Sequence, residues 1–348
     1  MRVTQIMLAA GFGGAERHFV DISRALAASG VVVQAICHPG FTRRDALEGI
    51  DGITVCPIRV PGSWDRTAVW RIARRLDTFR PDLVHTHLSR AGLLGGAAAH
   101  ARALPVIANL HTNIKLKRYR HVERFVAATV QQVGYLRERG IDGDRIVRIP
   151  HFTFANTAPE RPPQGEPTFV ALGRFVPKKG FDVLLDALAR LLTAGIRCRL
   201  VLAGDGPERP ALQERADRLG IAAHVSLPGW VNDPAAAFSQ TDIFVLPSLR
   251  EPFGIVLLEA MAARLPIVAT RTEGPLEILD DDAAYLVAPG QAVALARAMQ
   301  DAASDWPERT ARARRAHGLL TAKYTADVVI PRYLDTYREV AGMSCRRR

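Results

Sequence analysis

The stretch SLREPFGIVLLEAMAARLPIVAT, beginning at Ser248, carries two carboxylates, Glu251 and Glu259, in an otherwise apolar run. Glu251 precedes Pro252, and proline is favoured in the first turn of a helix and excluded from its interior. The spacing predicts a helix from Phe253, with Glu251 at its threshold and Glu259 about two turns in. At about 1.5 Å per residue, the two acids lie roughly 12 Å apart along the axis. Carboxylate pairs that hydrolyse glycosides stand about 5–9.5 Å apart, so a hydrolase pair is disfavoured. Roughly 12 Å is instead about the length of a sugar diphosphate joined to a ribose, with the rise per residue as the ruler. A helix start offers free N–H groups and a positive dipole end to phosphate, and an acid on each side accepts hydroxyl protons. The residues alone equally allow a charged helix start followed by a half-exposed glutamate.

Other groups have the types that such a ligand needs. In GRFVPKKG, Arg174 and Lys179 stand just before a helical pattern, with Lys178 as the adjacent alternative to Lys179. Two cations there would hold a diphosphate and stabilise charge building on a leaving group, each charged hydrogen bond contributing about 1.5–3 kcal/mol. AAGFGGAERH sets Gly13 and Gly14 at another helix start, where backbone can approach phosphate closely. A dinucleotide fingerprint requires glycine where Glu16 stands, so G-x-G-x-x-G fails. LAGDGPE, with Gly204, and LPGWVND, with Trp230 and Val231, are further turns after strand-like runs, and ordinary turns would look the same. His85 and His87 are two apart in a strand and share a face, which fits either a pocket lining or satisfied strand-end rings; no third metal ligand is visible. The acidic run Asp280–Asp282 reads as a solvated turn.

These residues need elements to position them. Strand-like runs alternate with helical patterns throughout, which reads as repeated βαβ units with parallel sheets. The run FTFANTAPERPPQGEPT interrupts the pattern and reads as a linker. The chain divides into a domain over 1–158, a domain over 166–325, and a helical tail over 326–348 that returns to the first. From about Ala292 the sequence reads as helical to near Val340. Open parallel sheets bind ligands outside the carboxyl ends of their strands, and the motifs follow strands as that requires.

Composition sets the limits. The chain has 348 residues, 48% hydrophobic and only 7% aromatic, which suits helices packed on parallel sheets in two cores. Its four cysteines have neither zinc nor redox spacing, and point to a reducing compartment. Neither a signal peptide nor a membrane span is expected, so the protein is expected to be cytoplasmic. The net charge is +11, and residues 1–160 hold 22 Lys+Arg against 13 Asp+Glu. IKLKRYRHVER, with Lys115 and Lys117, concentrates this excess. There is no helix-turn-helix spacing, zinc finger or RNP-like motif, so no nucleic-acid partner is expected. An anionic acceptor or an anionic membrane surface at the inner face fits better, and a solvated basic face is the plain alternative.

EPFGIVLLE, with seven residues between Glu251 and Glu259, resembles the retaining glycosyltransferases of family 4. The resemblance covers nearly the whole chain, because the other motifs occur in the family's order. It implies the α/β GT-B fold, two Rossmann-like parallel domains facing each other across a cleft. It implies a hexose moved from a nucleotide sugar, UDP-linked first and GDP-mannose second, to a hydroxyl of a glycolipid or polysaccharide such as lipopolysaccharide core. Glu251, Arg174, Lys179 and His111, which follows the strand in VIANLHTN, are implied in catalysis. Gly13, Gly14, Gly204, Val231, Phe253, Gly254, Ile255 and Glu259 are implied on the donor, with the loop Glu273–Pro275 near it. Glu16, His85, His87, Lys115 and Lys117 are assigned to the acceptor. No metal or other cofactor is expected, since in this family Arg, Lys and helix ends handle the leaving charge. Rival readings are a phosphorylase or sugar-nucleotide epimerase of the same fold and, from another class, a nicotinamide-dependent oxidoreductase.

Overall fold

The computed structural model describes residues 1–345 apart from 12, 112–114, 155–164 and 232, with side chains as far as residue 342. The core of the expected linker therefore lies outside the described residues. The chain forms two units: residues Met1–Phe152 together with those from Ala326 onward, and Thr153–Thr325.

Unit 1 runs β1 (Arg2–Met7), α1 (Gly14–Ala28), β2 (Val32–Cys37), β3 (Ile53–Pro57), α2 (Arg66–Phe79), β4 (Leu83–His87), α3 (Leu88–His100), β5 (Val106–Asn109), β6 (Arg124–Ala127), α4 (Val130–Arg137) and β7 (Ile146–Arg148). Its seven strands are parallel, in the order β3-β2-β1-β4-β5-β6-β7. Unit 2 runs β8 (Thr168–Leu172), α5 (Phe181–Thr193), β9 (Arg199–Ala203), α6 (Arg209–Arg218), β10 (Val225–Gly229), α7 (Pro234–Phe238), β11 (Ile243–Leu246), α8 (Ile255–Ala262), β12 (Ile267–Thr270), α9 (Glu273–Ile278), β13 (Tyr285–Val287), α10 (Ala292–Ser304) and α11 (Trp306–Lys323). Its six strands are also parallel, ordered β10-β9-β8-β11-β12-β13. The chain then re-enters unit 1 as α12 (Ala326–Cys345).

The alternation of side chains along a strand gives each sheet two faces to bury. In unit 1, Ile6, Val84, Val106 and Ala108 pack under α2 and α3. On the opposite face Val3, Leu83, Ile107 and Val126 meet Ile22 and Leu26 of α1 and Val329, Ile330, Tyr333, Tyr337 and Val340 of α12. That α12 set recurs at helical spacing, so the last helix is part of the unit 1 core. Unit 2 has its own core, built from β8, β9, β11 and the helices α5, α6 and α10.

The helical C-terminal region is built of three helices, α10, α11 and α12. Asp305 separates α10 from α11, and its carboxylate caps α11 by accepting from Glu308 N at 2.9 Å. Tyr324 and Thr325 separate α11 from α12. Among the described residues no helix is long and apolar enough to cross a membrane.

Candidate active site

Strand order reverses once in each sheet, between β1 and β4 and between β8 and β11. The carboxyl ends of strands at such a reversal are where open α/β sheets take ligands.

In unit 2, β8 leads into Gly173–Gly180 and β11 into Pro247–Gly254. Lys178 O accepts from both Leu249 N (2.9 Å) and Arg250 N (3.2 Å), which ties the two loops together. Gly180 has φ +64, and a Cβ there would sit 2.3 Å from Pro247 O, so only glycine allows this approach. The short turn Pro177–Lys179 places Lys179 Nζ 2.5 Å from Glu251 Oε2. Ser248 Oγ donates to the same oxygen at 3.4 Å. Glu251 is 6% exposed, so its charge is held by a cation and a hydroxyl in place of water. Arg174 is exposed, and its guanidinium bonds to none of the described residues. The turn after β9 packs against the turn after β8: a Cβ on Gly204 would lie 1.9 Å from Gly173 O. Val231 is half-buried, and Trp230 is 41% exposed beside it.

Several expectations need correction. The helix of the two-glutamate motif starts at Ile255, not at Phe253, because Gly254 takes a left-handed φ of +87° as its N-cap. Glu251 therefore stands four residues ahead of the helix, and Glu259 lies half-buried just over one turn in. The axial estimate of their separation does not apply to that non-helical segment. Phe253 is buried against Tyr324 at a ring distance of 6.2 Å, so its side chain is core. Ile255 is half-buried at the first helical position. Glu273–Pro275 is the first turn of α9, not a loop, and Gly274 N donates to Glu251 O at 2.8 Å. Asp280–Asp282 is the exposed turn that was expected, in which Asp280 accepts from Ala283 N and Asp281 pairs with Arg271.

In unit 1, Gly13 is the extended N-cap of α1, Gly14 is exposed, and Glu16 is half-buried in the first turn. Lys115 and Lys117 are exposed, and Ile114 lies outside the described residues. His85 and His87 line no open pocket: both are fully buried. The face that α1 and α12 cover is apolar at the amino ends of the strands and polar at their carboxyl ends, where Gln5, His85, His87 and Asn109 follow Val3, Leu83 and Ile107 at two-residue steps. His85 bonds to Tyr337 Oη (2.7 Å) through Nδ1 and to Asn109 Oδ1 (2.9 Å) through Nε2. His87 bonds to Gln5 Oε1 (2.7 Å) and to His111 Nε2 (3.3 Å). His111, half-buried, is the member of this group with surface to offer.

Two further rings escape the sequence reading. His18 of α1 and His151, which follows β7, pack on His111 with centroids 5.6 Å and 5.2 Å away, and on each other at 4.2 Å. His151 stands after its strand as His111 does after β5, and asking which residues follow strands would have found it. Burial, reinforced by neighbouring rings, holds the His18, His87 and His111 pKa values well below the ordinary histidine value. Burial lowers His85 to about 4 and His151 to about 3. All five rings are neutral at physiological pH. They do not converge on a common point: among the described residues no group of three or more His, Cys, Asp or Glu is placed to hold a metal ion.

Residues 154–318 match the family described as Glycosyl transferases group 1, and residues 12–153 match Glycosyltransferase Family 4. The chain is 32% identical to the lipopolysaccharide core biosynthesis glycosyltransferase LpsE of Rhizobium meliloti, over 93% of this chain and 95% of that protein. The chain belongs to the family 4 glycosyltransferases. A second relative, LpsD of the same organism, is 31% identical over the same shares. Among solved structures, Anabaena Alr3699/HepE in complex with UDP and glucose superposes with a TM-score of 0.86 at 19% identity, covering 97% of this chain and all of that one. The lipopolysaccharide outer core galactosyltransferase WaaB gives 0.74 at 19% identity, over 97% and 99%. These likenesses show the GT-B fold, and each sheet reversal in this glycosyltransferase carries the groups described above.

Proposed function

We propose that this glycosyltransferase moves a hexose from a nucleoside-diphosphate sugar to a hydroxyl of a saccharide or glycolipid, in the assembly of lipopolysaccharide core. The observation that carries the reading is the Lys179–Glu251 pair at the β8/β11 reversal, with Arg174 in the same loop as Lys179. Relatives named for lipopolysaccharide core biosynthesis, matched over 93% of the chain, support the acceptor class. The structural neighbour with bound UDP and glucose supports UDP-hexose as the first donor, with GDP-mannose second.

In this reading Arg174 and Lys179 take the diphosphate and offset the charge that builds on it as the glycosidic bond breaks. Lys179 then exchanges one anion for another, and Glu251 is released to accept a sugar hydroxyl proton. Glu259 accepts from the ribose. The backbone around Gly204, Val231, Gly254 and Ile255 meets the rest of the donor, and Gly13 and Gly14 contribute N–H groups to phosphate. His111 holds a hydroxyl of the sugar or of the acceptor, with Glu16, Lys115 and Lys117 on the acceptor side. No side chain is assigned as a covalent nucleophile. The leaving phosphate takes the acceptor proton on the face from which it departs, so configuration is retained without a metal. The basic first half of the chain, +9 over residues 1–160, suits an anionic acceptor or lipid surface.

The test is a melting screen with UDP, GDP and ADP, followed by NMR of the anomeric proton of the product. Stabilisation by UDP, acceptor-dependent release of UDP that survives EDTA, and an axial-for-axial product are expected. Absence of nucleotide stabilisation, or cofactor reduction in place of nucleotide release, would overturn the reading.

A further inference from the structure

His111 can present either a donor or an acceptor to a ligand, depending on which ring nitrogen holds its proton. The bonds beneath it decide which. Gln5 donates through Nε2 to the Tyr337 hydroxyl at 3.1 Å. Its Oε1 therefore faces His87 Nε2, 2.7 Å away, and must accept. His87 is fully buried and neutral, so it has one ring proton, and that bond places it on Nε2. His87 Nδ1 is left as an acceptor. The 3.3 Å contact between His87 Nδ1 and His111 Nε2 then requires the His111 proton on Nε2. Among the described residues only His87 bonds to His111, so its Nδ1 keeps a lone pair outside the network.

The same bonds continue through α12 to β5 and α1. Tyr337 accepts from Gln5 and so gives its own proton to His85 Nδ1 at 2.7 Å. His85 Nε2 donates to Asn109 Oδ1, and Asn109 Nδ2 donates to His18 Nε2 (2.8 Å) and to Tyr333 Oη (2.9 Å). The bond to His18 Nε2 places the proton of neutral His18 on Nδ1, a buried nitrogen with no partner among the described residues. Reversing one requires turning both amides, so the assignments from Gln5 to His111 change together or not at all.

We propose that Gln5 and His87 are positioning residues that hold His111 in its Nε2-protonated form, with the Tyr337 hydroxyl of α12 fixing the Gln5 amide. His111 Nδ1 is thereby kept as a hydrogen-bond acceptor for a carbohydrate hydroxyl. It cannot donate to a phosphate or carbonyl oxygen. The inference rests on the reading that His111 meets the sugar or its acceptor, and it assigns the direction of that contact.

Long-range proton–nitrogen NMR of protein labelled with 15N-histidine separates the two neutral ring forms directly. In the full-length wild type, the His111 signals should show the proton on Nε2. Gln5→Met and His87→Phe should leave the two forms mixed, and kcat should fall roughly ten- to hundred-fold with donor KM nearly unchanged. Tyr337→Phe removes one oxygen from a packed ring and guards against loss of fold; it should give the same mixing with a smaller fall in kcat. A wild-type spectrum with the His111 proton on Nδ1 overturns the inference whatever the variants do. If His111→Ala transfers sugar at the wild-type rate, the active-site reading of His111 fails instead, and the spectrum still reports the ring form.

Discussion

Glu251 and Lys179 are each other's counter-charge as long as no other anion is near. The carboxylate is nearly buried and the ammonium partly so, with side-chain exposures of 8% and 16%. Removing one member leaves the other with the desolvation cost and no compensation. The two are not equivalent, because a lysine stem can carry its charge outward to water and a short carboxylate cannot. Lys179→Ala should therefore destabilise unit 2 by about 1–3 kcal/mol and also slow transfer, since it strands Glu251. Glu251→Gln keeps the shape, and under the proposed function Lys179 remains able to bind the diphosphate. Its melting temperature should stay close to wild type while kcat drops roughly 10²-fold. Thermal melts run beside nucleoside-diphosphate release separate the two patterns. Equal losses of stability in both variants would show the pair to be structural alone.

At the scale of elements, the loops after β8, β9 and β11 fit together through glycines whose places no side chain can take. Gly204 combines φ +151 with a backbone oxygen 1.9 Å from where its Cβ would be. Gly204→Ala must separate two loops and should cost roughly 2–4 kcal/mol, with donor binding lost in step. Gly134, inside α4, has an ordinary helical backbone and open space for 4 Å around the place a methyl group would take. Gly134→Ala should stabilise by about 0.5–1 kcal/mol in urea melts, which makes it the matched control. This contrast also shows what the sequence conveys. Alternating apolar runs located most strands, because a buried parallel strand leaves a compact signature whatever surrounds it. Pro252 suggested a helix start at Phe253 in place of Ile255, because the left-handed turn at Gly254 is a backbone property that the motif does not spell out. The glycines were legible as turns that follow strands, but their mutual packing was not. The histidine network was hidden for a different reason. It joins Gln5, His85, His87, Asn109, Tyr333 and Tyr337, whose proximity depends on strand register and on a helix that returns from far along the chain.

For the whole molecule, five neutral histidines, four of them buried, tie stability to acidity. In the unfolded chain each takes a proton near pH 6.5. In the folded protein His85 resists until about 4 and His151 until about 3, with His18, His87 and His111 also held well below the ordinary value. The unfolded state thus binds more protons throughout this window. Stability should be at its plateau above about pH 6.5 and fall as pH drops through the window, by up to about 1.4 kcal/mol per pH unit for each such ring. Urea melts of unit 1 fluorescence between about pH 7 and pH 5 measure it, and a flat profile would mean the rings are solvated. A second property follows from the path of the chain. Thr153 N donates to Tyr324 O at 3.0 Å, so the outgoing and returning segments lie side by side at the edge of unit 2. On the ribosome, everything unit 2 needs emerges before α12 does. The unit begun first is thus completed last, and through most of translation the seat of Tyr333 and Tyr337 stands open, a groove apolar at one end and polar at the other, awaiting the helix that closes it.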